Sequence, residues 1–94
     1  MNERNDCVVR KCNRVIGAIS LLNSGGCTVE RVEVGDRNPF IKLAGKPASG
    51  FVTGSFKKRF WDDRGQVCTY VATVLHCQVE WDEVIVATRE RAHA

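Results

Sequence analysis

Apolar residues recur at three- and four-residue spacing through Val8, Cys12, Val15, Ile16, Ile19 and Leu22. That period marks an amphipathic helix with one apolar face. Asn5-Asp6 offers an N-cap and Gly25-Gly26 a stop, so the pattern predicts a helix over 6–23. Gly17 weakens it slightly. Arg10, Lys11 and Arg14 fall away from the apolar stripe.

Beyond Gly26 the period shortens to two. Cys27 to Val34 is rich in β-branched residues, with Val32 and Val34 in phase and Val29 out of phase, which a bulge near Glu30-Arg31 would reconcile. Residues 35–39 form a turn, and Phe40 to Ala44 a second strand with Ile41 and Leu43 on one face. Residues 45–50 read as a loop. Phe51 to Trp61 reads as a third strand, with Val52, Phe56 and Phe60 on one face together with Gly54 and Lys58. Asp62-Asp63-Arg64-Gly65 is a strong hairpin signal. Val67 to Trp81 reads as one long fourth strand, with Val67, Val71, Leu75, Val79 and Trp81 on one face and Tyr70, Val74, His76 and Glu80 on the other. Val84-Ile85-Val86 extends that strand or adds a short one.

These elements give an α+β fold, one N-terminal helix packed on a four-stranded antiparallel meander. The chain's 94 residues suit one domain over 1–94, with residues 1–5 and 88–94 as frayed tails. The opposite sheet face, with Lys57, Arg59 and Tyr70, is expected to be open to water or to a partner. Sheet edges are expected to be available for pairing with another chain.

Charge adds polarity to this picture. Residues 1–64 carry 12 Lys and Arg against 7 Asp and Glu, and residues 65–94 carry 2 against 4. A basic body with an acidic C-terminal part gives a polarised surface. The opening residues are polar and unlike a signal peptide, and no apolar run approaches the ~20 residues of a membrane span. The sequence therefore predicts a cytoplasmic protein with no membrane partner. Its five cysteines, Cys7, Cys12, Cys27, Cys68 and Cys77, are then reduced thiols acting mostly as small core residues.

Catalytic and metal signatures are weak. His76 adjoins Cys77 on the expected strand, so the two side chains point to opposite faces, and His93 lies in the tail. Cys7 and Cys12 sit about 140° apart around a helix and do not converge on a metal. Cys68 and Cys77 fall on opposite faces of one expected strand. No glycine pattern fits a phosphate loop or a dinucleotide fingerprint. The carboxylates look solvated. The expectation is a protein that is not an enzyme, with no cofactor and no metal.

The densest signal is Phe56-Lys57-Lys58-Arg59-Phe60-Trp61, where three cations interleave with three aromatics. On a regular strand Lys57, Arg59 and Trp61 share a face, where cations meet phosphates or acidic groups and an indole stacks. Arg37, Lys42, Lys46 and Arg64 would widen this patch. Arg10 and Arg14, one helical turn apart, offer a second basic row. Trp81, between Glu80 and Asp82, reads either as an interface anchor or as a cap on the core. Weighed against all of these is a solvated strand face whose lysines discourage edge aggregation. The octamer from Ser49 to Phe56 matches an RNA-binding signature only at Gly50, Phe51 and Phe56, and one helix is too few for that fold, so the assignment is rejected.

In size, charge polarity, compact α+β build and lack of catalytic motifs the chain resembles small accessory proteins of phages and mobile elements, including anti-CRISPR inhibitors of host defence. The resemblance spans the whole chain and rests on no specific motif. It implies stoichiometric inhibition, in which the protein docks on a host protein or ribonucleoprotein complex through Lys57, Lys58, Arg59, Trp61, Trp81, Arg10 and Arg14. Direct binding of DNA or RNA through the same basic-aromatic strand is the alternative. A homodimer joined at a sheet edge or at Trp81 is compatible with both.

Overall fold

The computed structural model describes residues 2–48 and 51–87. Ser49, Gly50, His93 and the expected tail 88–94 lie outside them. Helix α1 runs Glu3–Ser24, and strands β1 to β5 run Val29–Glu33, Phe40–Leu43, Ser55–Asp62, Gly65–Val74 and Cys77–Ala87.

The helix begins three residues earlier than its periodicity suggests. Asn2, not Asn5-Asp6, is the cap, its side chain accepting a hydrogen bond from the Asn5 amide at 2.8 Å. Glu3 and Asp6 then lie in the first turn, where carboxylates favour the positive end of the helix dipole. Residues 3–5, expected as a frayed tail, are helical. At the far end Gly26 takes φ 79°, and the Cys27 amide reaches back to the Leu22 carbonyl at 3.0 Å. A Cβ on Gly25 would lie 2.4 Å from the Phe51 ring, so that ring closes over the helix end only because Gly25 has no side chain.

The sheet is α+β as expected, but it has five strands in the order β1-β2-β5-β4-β3, and it is mixed. The antiparallel four-stranded meander is corrected at one point. Leu75 and His76, at φ 47° and 64°, form a two-residue turn that breaks the expected strand 67–81 into β4 and β5. The turn carries neither glycine nor asparagine, the usual residues at positive φ. Strand β5 folds back along β4 and enters the sheet beside β2, to which it runs parallel.

Register follows from the turn. Val74 pairs with Cys77, Ala72 with Val79 and Tyr70 with Trp81, and Ile41 of β2 pairs with Val79. Paired residues share a face. Cys77, Val79, Trp81, Ile41, Leu43 and Val74 thus meet Val15, Ala18 and Leu22 of α1 in one core. The expected phase of residues 77–81 is inverted, because a two-residue turn reverses parity. Lys11 donates to the Gly35 carbonyl and ties the first half of α1 to the β1–β2 loop. The expected bulge is present, since the β1–β2 register shifts between Val29 and Arg31.

Candidate functional site

Strand β3 carries the basic-aromatic segment and is an edge of the sheet. Its pairing with β4 shifts between Phe56 and Lys58, which makes Lys57 a bulge residue. The bulge undoes the alternation that would put Lys57, Arg59 and Trp61 on one face. Lys57 and Lys58 both serve the outer face, away from the helix. There Lys57 reaches Glu80, while Lys58 lies opposite Thr69 and over the Phe60 ring, 5.4 Å from its centroid. Arg59 and Trp61 fall on the helix side, where Phe56 also meets Tyr70.

The outer face is an ion-paired surface rather than an open basic one. Lys57 Nζ lies 2.8 Å from a Glu80 carboxylate oxygen, which also accepts from Gln78 at 2.6 Å. Glu80 is buried, and these two donors satisfy it. One row further along β5, Asp82 accepts from Lys42 at 3.0 Å and from the Thr69 hydroxyl at 2.8 Å. Arg64 joins Asp82 at 3.3 Å to Asp62 at 2.6 Å. Burial by itself would raise the Asp82 pKa, but the Thr69, Lys42 and Arg64 contacts outweigh it and hold the carboxyl below its ordinary value. Asp62 is likewise held low, first by its hydrogen bond from Arg64. Lys46 lies 3.9 Å from Glu83. The cations expected to widen a basic patch are therefore largely matched by carboxylates, mainly those of β5.

Trp81 is corrected from anchor to core. It is 3% exposed, stacks on Tyr70 with ring centroids 6.1 Å apart, and donates its indole N–H to Glu83 at 3.0 Å. A Cβ on Gly54 would lie 2.4 Å from its ring, so the segment before β3 lies directly against the indole. Tyr70, expected on the open face, belongs to the same helix-side row. That row runs Phe56, Tyr70, Trp81 across three strands and emerges at the edge, where Phe56 is 56% exposed. Sequence reasoning passed over Phe56 because its phase placed it in the core.

Arg10 and Arg14 are exposed on α1, with Arg14 close enough to Cys77 to oppose the upward push of burial on that thiol. Cys77 pairs with Val74 and Arg59 with Cys68, six positions away along β4, or about 20 Å. Helix and strand cations thus sit at opposite ends of the sheet and do not form one patch. The same turn sets Cys68 and Cys77 on one face, both buried, whereas Cys12 is exposed.

What remains together at the edge is Phe56, Lys58, Arg59 and Trp61. Among the described residues neither Lys58 nor Arg59 has a carboxylate partner. Trp61 is 54% exposed. Beside the start of β3 an open cleft of about 680 Å³ is lined by Asn38, Ser55, Phe56, Lys57, His76 and Gln78. Among the described residues no three metal-ligating side chains cluster, and no helix is long and apolar enough to cross a membrane.

This is a small α+β domain with an ion-paired outer face and an exposed aromatic and cationic edge. Residues 8–82 match the Kil protein family, and the chain belongs to it. Kil proteins are small and phage-encoded, and Kil inhibits host cell division. The membership carries the broader sequence expectation, a phage accessory protein. No curated protein and no solved structure matches the chain.

Proposed function

We propose that the protein is a phage inhibitor that docks on a host protein through the β3 edge and blocks it without catalysing a reaction. The observation that carries this reading is the exposure of β3, where Phe56 lies open beside two cations with no carboxylate partner among the described residues. Phe56 is backed by Tyr70 and Trp81, so an anchor is already ordered before binding. Lys58 and Arg59 would steer it toward an acidic surface. Membership of the Kil family favours the host division machinery as the target over the CRISPR complexes that the sequence first suggested.

Direct binding of DNA or RNA draws less support, because Lys42, Lys57 and Arg64 are engaged with Asp and Glu. The test is capture of a host protein from phage-host lysate by the tagged protein, with and without nuclease. A nuclease-resistant partner, lost on Phe56→Ala or on combined Lys58→Glu and Arg59→Glu, is the expected result. Binding that disappears with nuclease would transfer the site to nucleic acid. Capture unaffected by these substitutions would remove β3 from the interface.

A further inference from the structure

The apolar stripe that marks α1 in the sequence is wider than the sheet covers. Val15, Ala18 and Leu22 are buried, but Val8 is 45% exposed, Val9 43% and Ile16 65%, and Cys12 is exposed beside them. At 100° per residue these four side chains, with Asn13 and Ser20 at their border, fall within about 140° of the helix circumference. None of the helix's six charged residues, Glu3, Arg4, Asp6, Arg10, Lys11 and Arg14, falls in that sector.

We propose that this face is the contact between two copies of the chain, packed as antiparallel helices about a two-fold axis at Cys12. A two-fold contact brings the same patch of each copy together, so any net charge on it repels itself. The centre of the patch, Val9, Cys12 and Ile16, carries no helix charge and meets that condition; charge borders it only beyond Val8, where a cleft is shared with Arg4, Lys11 and Asp36. Val8, Cys12 and Ile16 lie four residues apart and form one ridge of the helix surface. With the axis at the middle residue, Val8 of each copy meets Ile16 of the other, and the two Cys12 side chains face one another. The face borders the buried stripe of α1, so pairing extends the core across the axis. It also leaves the β3 edge of each copy free for a host partner, and the proposal does not depend on that docking reading.

The patch is small, so the dimer is a weak one, with dissociation in the micromolar to millimolar range. The test is sedimentation equilibrium of the full chain under reducing conditions, up to concentrations on the order of 0.5 mM. A mass rising toward two chains is expected. Ile16→Glu, at an exposed position, should keep the helical circular dichroism and weaken association at least about tenfold, because it buries a charge. Val9→Lys serves the same purpose if Ile16→Glu loses helix. Independently, diamide oxidation of the concentrated wild-type protein should yield a Cys12–Cys12 linked peptide in a non-reduced digest. A one-chain mass throughout, or a two-chain mass that the folded variants leave unchanged, would overturn the proposal.

Discussion

The two faces of the sheet come from the same strands and are held in different ways. On the helix side Val79, Trp81, Ile41 and Leu22 exclude water almost completely, and the one carboxylate contact among them is the Trp81 indole N–H to Glu83. On the outer face the neighbours of those residues, Glu80, Asp82, Lys42 and Thr69, form a hydrogen-bonded ionic lattice with Lys57 and Arg64. Burial of apolar area is non-directional and is felt as cavities when it is cut. The ionic face depends on partners being present, because a carboxylate left alone there keeps its desolvation cost. One face supplies the bulk of the stability. The other links β2, β3, β4 and β5 through paired side chains, and it withdraws cations that a partner would otherwise read.

The largest effect should come from the helix side. Leu22→Ala leaves a cavity beneath α1 and should cost about 2–5 kcal/mol in chemical denaturation, with little dependence on salt. On the outer face Asp82→Asn should cost about 1–3 kcal/mol at neutral pH, since it weakens three contacts at once. Its pH dependence separates the faces further. The Asp82 carboxyl is held below its ordinary value in the folded chain. The stability it contributes is therefore fully present above its unfolded pKa of about 3.9 and is lost as pH falls through the lower folded value. The gap between wild type and Asp82→Asn should close in that acid range, while the Leu22→Ala gap should lack this Asp82 contribution; parallel acid curves for Asp82→Asn and wild type would show that the ionic lattice does not act as described.

Smaller effects sharpen the contrast. Lys57→Ala leaves buried Glu80 with Gln78 alone and should cost about 1 kcal/mol. The substitution should matter less in high salt, because Lys57 is partly exposed to solvent. His76→Gly relieves a side chain held at positive φ and should stabilise by up to about 1 kcal/mol. Loss of stability there would mean that the His76 side chain contributes more at the cleft than its backbone costs.

Much of this was legible in the chain. The α1 periodicity, the bulge after Val29, the buried pair Ile41 and Leu43 and the Asp62–Gly65 turn all rest on spacing and turn chemistry within a few residues of one another. The turn at Leu75-His76 was not, because no local residue type announces it and the apolar alternation of the sequence runs on through it. That one turn moved Trp81 from a strand end to the middle of the sheet. The bulge at Lys57 was equally silent, and it divided the segment 56–61 between two faces.

The sequence by itself determined that there is one helix followed by strands, that these elements are amphipathic, and that positive charge gathers at 57–59. Those are properties of neighbouring residues, and neighbours fix periodicity and propensity. Only the tertiary structure decided that β5 lies between β2 and β4, that its carboxylates reach the cations of strands far from it in sequence, and that half of the helix's apolar stripe is left uncovered. Pairing between distant strands depends on which faces can be buried together, and that choice is made by the whole sheet at once.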